Sequence, residues 1–189
     1  MTIYMELIKT DIEGVVILRP RLFADKRGYF METYSQREFE EKVGDVKFVQ
    51  DNESRSSYGV MRGLHFQKPP FCQAKLVRCV RGAVLDVAVD IRKGSPTYGK
   101  HVAVELNEDN HLQLFIPHGF AHGFSVLSPE AVFQYKCDNF YHPESEGGIS
   151  ILDRSLGIDW MIPEKDAILS PKDSIHPVLE ELDSPFEYR

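Results

Sequence analysis

Short strand-like segments separated by turn clusters fill the middle of the chain, and this spacing constrains the fold more than any other feature. Between residues 46 and 137, the clusters RKGSPTYG, NEDN, PHG and SPE separate apolar or alternating runs. The runs recur at intervals of about 8–15 residues, which is typical of an all-β sandwich or barrel. The strand candidates are residues 15–20, 75–82, 83–92, 101–106, 112–117 and 131–137.

A single β domain is expected over residues 1–189, because no internal repeat, low-complexity linker or change in composition divides the chain. Its core is predicted at about 46–140. Residues 35–44 begin with an N-cap-type serine and end in glycine, which indicates a helix. Residues 177–184 have room for one or two helical turns. We therefore expect an antiparallel β domain with short peripheral helices and a less regular C-terminal tail.

Composition excludes several classes of protein. Of 189 residues, 42% are apolar and 27% are charged, which is ordinary for a globular protein. The net charge of −7 argues against non-specific nucleic-acid binding, which needs surplus Lys and Arg. No run approaches the roughly 20 apolar residues of a membrane helix, and the N-terminus lacks signal-peptide features. Three cysteines without a CxxC pair suit a reducing compartment, so we expect a soluble cytoplasmic protein.

His65 in RGLHFQ, residues 62–67, has three possible roles from pattern alone: a packed core residue, a metal ligand or a general base. Strand alternation places it on one face with residues 61, 63 and 67, and places Arg62 on the opposite face. The chain has no His-x-His pair, and His118 and His122 lie in a glycine-rich loop. The pattern thus disfavours a metal site and leaves the other two roles open.

Lys75 and Tyr135 occupy positions where a β domain would place apolar side chains. Lys75 shares its face of the strand with Val77 and Cys79. Lys75 therefore either points into the domain, or this face of the strand points to solvent. Tyr135 shares its face with Phe133 and is predicted to point inward, where its hydroxyl needs a partner. A histidine, a lysine and a tyrosine inside one β domain would suit proton chemistry on an anionic ligand.

Six segments resemble, in family order, the dTDP-4-dehydrorhamnose 3,5-epimerases, and together they extend from about residue 4 to residue 175. The segments are ADKRGYFMETY, FVQDNESRS, RGLHFQ, QAKLVRCVRGAVLDVAVDIRKGSPTYG, IPHGFAHGF and LSPKD. The resemblance implies a cupin-type β jelly roll that works without metal or organic cofactor, as a homodimer with exchanged N-terminal strands. The implied reaction converts dTDP-4-dehydro-6-deoxy-D-glucose to dTDP-4-dehydro-L-rhamnose, the third of four steps toward dTDP-L-rhamnose.

The resemblance also implies catalytic roles. His65 would remove the protons on carbons 3 and 5, which the 4-keto group acidifies, and Asp173 would orient and stabilise its ring. Lys75 would stabilise the negative charge that develops on the keto oxygen. Tyr135 would return a proton from the opposite side of the sugar.

Substrate-binding residues are implied in the same way. Arg27 and Arg62 resemble positions that contact the diphosphate and the sugar, which suits the guanidinium group. Phe23, Arg27 and Glu32 match positions contributed by the neighbouring subunit. The further implied contacts are Gln50, Asn52, His122, Tyr141, Glu146 and Lys172. The chain departs from the family pattern at Phe140, where many relatives have tyrosine, and at Pro171, which precedes Lys172 and Asp173.

Three alternatives remain at this point. Relatives with the same base and acid invert only one carbon of a related nucleotide sugar. A non-catalytic cupin sugar-binding module is a second alternative, although such a module has no need of a base. A metal-dependent cupin enzyme is the third.

Overall fold

The computed structural model describes residues 5–188; the first four residues and Arg189, which the predicted range 1–189 includes, lie outside the described residues. One helix, α1, covers Gln36–Lys42. The strands are β1 Met5–Lys9, β2 Val16–Pro20, β3 Phe23–Asp25, β4 Gly28–Phe30, β5 Gln50–Ser57, β6 Met61–Gln67, β7 Lys75–Arg81, β8 Ala83–Asp90, β9 His101–Asn107, β10 Gln113–Ile116, β11 Phe120–Val126, β12 Glu130–Cys137 and β13 Glu146–Gly148. Single 3-10 turns cover 143–145, 154–156, 164–166 and 179–181.

Two antiparallel sheets form the body of the protein. The six-stranded sheet has the order β1-β2-β10-β7-β12-β5, and the five-stranded sheet has the order β13-β6-β11-β8-β9. Neighbours in space are often distant in sequence, as expected for a jelly roll. The architecture confirms the predicted all-β antiparallel fold, and each strand candidate corresponds to a strand within one or two residues of its predicted limits.

The space between the two sheets is filled by apolar side chains from both. Val77 and Phe133 come from the six-stranded sheet, and Ala88 and Phe124 come from the five-stranded sheet. This cluster closes one end of the interior. Toward the other end the facing side chains become polar, and a cavity opens there.

Part of the outer face of each sheet is also buried. The five-stranded sheet packs against the C-terminal segment, where Trp160 and Phe186 contact Leu85, Val87 and other residues of that face. The alternation of residues 83–92 is confirmed, since the odd-numbered residues pack outward against the C-terminal segment. Phe39 of α1 covers the six-stranded sheet and is fully buried. The predicted helix at 35–44 is confirmed as α1, and the segment 177–184 contains one 3-10 turn.

Strands β3 and β4 form a separate two-stranded hairpin, which we call the arm (residues 23–30). Every residue of the arm is exposed, including the aromatic residues Phe23, Tyr29 and Phe30. Exposed aromatic side chains grouped in this way are typical of protein–protein contacts. Within residues 5–188, no helix has both the length and the apolar character needed to cross a bilayer.

Candidate active site

A cavity of about 540 Å³ lies between the open ends of the two sheets, and its size suits a small-molecule ligand. A second cavity of about 290 Å³ adjoins it and shares His65, Lys75 and Tyr135 with it. These three side chains therefore lie where the two cavities meet. The predicted site residues that line one or both cavities are Gln50, Asn52, Arg62, His65, Lys75, His122, Tyr135, Tyr141, Glu146, Lys172 and Asp173.

His65 and Asp173 form a close pair, although 108 positions separate them in sequence. The Nε2 atom of His65 lies 2.5 Å from Oδ1 of Asp173. Asp173 is buried, whereas the side chain of His65 keeps 26% of its surface exposed and lines the cavity. A carboxylate only accepts hydrogen bonds, so Asp173 fixes Nε2 of His65 as the donor and leaves the lone pair on Nδ1.

Two hydrogen bonds to Ser170 stabilise the turn that carries Asp173. The backbone N–H of Asp173 donates to the hydroxyl of Ser170 at 3.1 Å, and the hydroxyl of Ser174 donates to the Ser170 carbonyl at 2.9 Å. Pro171 follows Ser170, and its fixed φ is compatible with the start of a turn. The departure from the family pattern at Pro171 therefore leaves Asp173 in contact with His65.

Arg62 and His65 line the same cavity, although strict alternation along β6 would place them on opposite faces. Arg62 therefore needs a strand end or a bulge to reach a ligand beside His65, and the structure has a bulge. His122 pairs with His65 and Phe124 pairs with Arg62, which leaves Gly63 and Leu64 opposite the single residue between them on β11. This extra residue is a β-bulge, and it reverses the alternation between Arg62 and His65.

Gly63 has the backbone conformation that this bulge needs. Its φ is +127°, and a Cβ atom there would lie 2.5 Å from Cα of Gly123 and 2.7 Å from the carbonyl oxygen of His122. Both neighbours are backbone atoms, which have little freedom to move. Only glycine fits at this position.

Lys75 and Tyr135 face the cavity from the six-stranded sheet. The inward position was predicted for Tyr135, whereas the strand pattern left both an inward and an outward position open for Lys75. Lys75 opens β7 and Tyr135 lies on the neighbouring β12, with the Tyr135 ring 6.2 Å from that of Phe133. His65 lies on the five-stranded sheet. A ligand between the sheets would thus have the imidazole on one side and the ammonium and phenol groups on the other.

Burial shifts the pKa of each of these three groups toward its uncharged form. It lowers the pKa of His65 from the usual 6.5, an effect that Asp173 opposes and Lys75 adds to. It lowers the pKa of Lys75 from 10.5, although the acidic residues Asp86 and Glu146 oppose the change. It raises the pKa of Tyr135 above 10.0. At neutral pH the cavity therefore has a neutral imidazole on one side and a protonated phenol on the other.

Glu146 connects three parts of the cavity wall. It forms an ion pair with Lys172, the residue before Asp173, and accepts a hydrogen bond of 2.7 Å from the hydroxyl of Tyr141. Its strand β13 pairs with β6, so that Gly148 lies opposite His65. This network joins the C-terminal turn to the five-stranded sheet.

Gln50 and Asn52 lie at the edge of the six-stranded sheet. The amide of Gln50 donates to Asn52 Oδ1 at 3.1 Å and accepts from the backbone N–H of Tyr141 at 3.2 Å. Phe140, the second departure from the family pattern, is 60% exposed and does not line either cavity. The missing hydroxyl at position 140 therefore removes no polar group from the cavity walls.

Asp86 was not among the predicted site residues, yet it is fully buried beneath the cavity. Its Oδ2 atom lies 2.9 Å from Nε2 of His122, whereas its Oδ1 atom has no hydrogen-bond partner among the described residues. Asp86 is one of the even-numbered residues of β8, whose side chains point into the space between the sheets. A charged residue at an inward position is the signal that identifies it.

Phe23, Arg27 and Glu32 do not line either cavity of the described chain. Phe23 and Arg27 belong to the arm, where Arg27 forms an ion pair with Asp25, and Glu32 follows the arm and is exposed. The single chain thus does not bring these predicted contacts together with the others.

Comparison with known proteins identifies the family. Residues 9–181 match the family model for dTDP-4-dehydrorhamnose 3,5-epimerase. A dTDP-4-dehydrorhamnose 3,5-epimerase of Shigella flexneri is 56% identical over 170 residues, covering 89% of this chain and 93% of the relative. A dTDP-4-dehydrorhamnose 3-epimerase of Streptomyces niveus is 42% identical over 170 residues, covering 89% of this chain and 81% of the relative.

A solved structure of a relative also superimposes on this chain. The dTDP-6-deoxy-D-glucose-3,5-epimerase of Legionella pneumophila Philadelphia 1, in complex with dTDP-4-keto-L-rhamnose, superimposes with a TM-score of 0.94 at 48% identity. The alignment covers 98% of this chain and 99% of that one. The agreement in fold, length and sequence shows that this chain belongs to the dTDP-4-dehydrorhamnose 3,5-epimerase family.

Proposed function

We propose that this protein is a dTDP-4-dehydrorhamnose 3,5-epimerase, which converts dTDP-4-dehydro-6-deoxy-D-glucose to dTDP-4-dehydro-L-rhamnose. Family membership and the ligand of the Legionella relative support the substrate class. One structural observation carries the mechanism: His65 with Asp173 and Tyr135 with Lys75 face the same cavity from different sheets.

His65 is the proposed base. Its Nδ1 lone pair would take the proton from carbon 3 of the sugar, and the electrons of that C–H bond would move into the carbonyl to give an enolate. Asp173 would hold the ring and stabilise the imidazolium that forms. The pKa of His65, lowered by burial, supports this role because the imidazole is neutral before the reaction.

Lys75 and Tyr135 would complete the inversion. The Lys75 ammonium would stabilise the charge on the enolate oxygen, a contribution typically worth about 3–4 kcal/mol. Tyr135 would return a proton from the side opposite His65, and its pKa, raised by burial, keeps that proton available. The same sequence at carbon 5 would complete the reaction, and proton exchange with solvent would reset both groups. None of these steps needs a metal or an organic cofactor.

The remaining site residues would hold the nucleotide. Arg62 reaches the cavity with its guanidinium beside Ser56, 3.2 Å from the hydroxyl, and the fork of N–H donors suits phosphate oxygens. Lys172 would add positive charge at the other wall. We assign nucleotide or sugar contacts also to Gln50, Asn52, His122, Tyr141 and Glu146.

We also propose a cytoplasmic homodimer in which the arm of one subunit reaches the cavity of the other and supplies Phe23, Arg27 and Glu32. The exposed arm, whose strands pair only with each other among the described strands, supports this exchange. The three free cysteines Cys72, Cys79 and Cys137 suit a reducing compartment.

Deuterium incorporation tests the reaction. The purified protein is incubated with dTDP-4-dehydro-6-deoxy-D-glucose in D₂O, and the product is analysed for label at carbons 3 and 5. We expect label and inversion at both carbons. Label at carbon 3 alone would show the 3-epimerase activity named for the Streptomyces relative, and no label at either carbon would favour a binding module. If the variant His65→Ala kept full turnover, the base would have to be another residue.

A further inference from the structure

His176 lies beside the catalytic pair but is not among the residues that line the cavity. Its ring makes an edge contact with that of His65, with centroids 5.5 Å apart, and its Nε2 atom lies 4.0 Å from Oδ1 of Asp173. Only 14% of the His176 side chain is exposed. Nothing in the proposed reaction uses this third group.

The Nε2 atom of His176 is buried and has no hydrogen-bond partner among the described residues. A buried polar atom without a partner is costly, and in folded proteins nearly all such atoms are satisfied. This nitrogen, 4.0 Å from the Asp173 carboxylate, is therefore available to bind a cation.

Gly148 makes room for the His176 ring. A Cβ atom on Gly148 would lie 2.7 Å from Nε2 of His176 and 2.8 Å from two ring carbons. The backbone of Gly148 does not have the positive φ that requires glycine, so the space for the imidazole is the structural reason for this residue. Since Gly148 pairs with His65 across β13 and β6, the space places His176 next to His65.

The potential ligand atoms of His65, Asp173 and His176 all lie within 4.8 Å of one another. Zinc binds imidazole nitrogen at about 2.0–2.1 Å and carboxylate oxygen at about 2.0–2.2 Å, so ligand atoms in a tetrahedral site are roughly 3.3 Å apart. The present separations include 2.5 Å for His65–Asp173 and 4.0 Å for His176–Asp173. Small side-chain rotations would bring the three atoms to these distances.

We propose that His65, Asp173 and His176 form a binding site for a divalent transition-metal ion of the Zn²⁺ class, and that the bound ion inhibits the enzyme. Two imidazoles and one carboxylate are a common zinc ligand set, and the cavity leaves the fourth position open to water. The ion occupies Nε2 of His65, and the proton displaced from Nε2 moves to Nδ1. Nδ1 then has no lone pair, so His65 no longer acts as a base. The inhibition, but not the binding, rests on the proposed function.

Metal binding is measured on the protein without substrate. After treatment with EDTA and removal of the chelator, ZnCl₂ is titrated into the wild type, His176→Leu and His176→Gln by calorimetry. We expect one ion per chain in the wild type. Loss of second-sphere partners alone weakens metal sites about 10–100-fold, so loss of a ligand should weaken binding by at least about 100-fold. His118→Leu removes a histidine that is also paired with a carboxylate, Asp138, and should bind zinc as the wild type does.

Inhibition is measured separately. Deuterium exchange into substrate is followed with EDTA and with rising ZnCl₂, and each variant is compared with its own metal-free rate. Zinc should suppress exchange in the wild type and in His118→Leu, with recovery on addition of EDTA, and should leave His176→Leu and His176→Gln unaffected. Circular dichroism establishes that the variants are folded.

The possible failures are distinguishable. Equal zinc affinity in the wild type and both His176 variants, or no binding in the wild type, would overturn the metal site. Zinc binding that depends on His176 but leaves exchange unchanged would overturn the inhibition. Absence of exchange even in the presence of EDTA would contradict the proposed epimerase function instead.

Discussion

The Nζ atom of Lys75 lies 5.8 Å from the centroid of the Tyr135 ring, and the two side chains reach the cavity from neighbouring strands of one sheet. A positive charge this close to the phenol lies where both the enolate oxygen and the proton donor would need it. His65 faces them from the other sheet. This arrangement leads to predictions for pH dependence and for each proposed role.

The pH profile of kcat/KM should have limits set by His65 and Lys75. The proposed base is the neutral imidazole of His65, and burial lowers its pKa, so activity should persist below pH 6.5 and fall only as pH drops through the lowered value. In the proposed mechanism Lys75 acts as the ammonium, and its pKa is also lowered, so activity should fall at a pH below 10.5. Lys75→Arg keeps its charge at high pH and should lose this alkaline limit. An unchanged alkaline limit in Lys75→Arg would assign the limit to another group, such as Tyr135.

Asp173→Asn should reduce kcat by roughly 10²- to 10⁴-fold with little change in KM, because an amide can donate to Nε2 of His65 and so favour the tautomer without a lone pair on Nδ1. The matched control is Asp138→Asn, since Asp138 pairs with His118 at 2.8 Å outside the cavity lining. Steady-state kinetics on both variants provide the measurement. Equal losses in the two variants would mean that the His65–Asp173 pair has no special role.

Tyr135→Phe should separate proton removal from inversion. The base remains, so deuterium exchange should continue, whereas formation of the inverted product should fall by about 10²- to 10⁴-fold for want of the proton donor. Tyr58→Phe, at a partly exposed tyrosine outside both cavities, serves as the control. Loss of exchange together with inversion would show that Tyr135 has a role other than proton delivery.

Gly63→Ala should destabilise the fold by more than about 3 kcal/mol, because the new methyl group would overlap backbone atoms of β11. Gly94 also has a positive φ, +80°, but a Cβ atom there would meet no other atom within 4 Å, so Gly94→Ala should cost only about 1–2 kcal/mol. Urea unfolding of both variants gives the two free energies. Similar values would show that the bulge tolerates a side chain.

Subunit complementation tests the exchanged arm. Arg27→Ala and His65→Ala are each expected to be poorly active alone. If Arg27 acts in the partner's cavity, a mixed dimer has one complete site, and random mixing should restore about one quarter of all sites. No recovery, in a mixture whose dimers are shown to exchange by light scattering and mass spectrometry, would place Arg27 in its own subunit's site.

Much of the fold and part of the site were predictable from sequence. The inward position of Tyr135 was predicted from alternation along β12. Alternation along β7 places Lys75 on the face of Val77 and Cys79 but does not decide whether that face is buried. The relation between Arg62 and His65 was not predictable, because the bulge depends on how Gly63 meets Gly123 of another strand. Alternation within one strand contains no information about that contact.

The position of the C-terminal segment was also not predictable from the sequence. His176 lies in a turn-rich region without periodicity, and its position depends on the space above Gly148. The role of Asp86 also required the structure, since its pairing with His122 joins two strands that are far apart in sequence. Short-range pattern predicts which residues face inward, whereas the partners they find are a property of the whole fold.

The proposed division of base and acid between two sheets has a consequence for divergence within such a fold. Substitutions on the six-stranded sheet, which carries Tyr135, can change the carbon and the face to which a proton is returned. His65, on the five-stranded sheet, would still remove the same protons. The stereochemistry of proton return and the removal of the proton can thus evolve independently. An enzyme of this fold can acquire a new product while its general base stays unchanged.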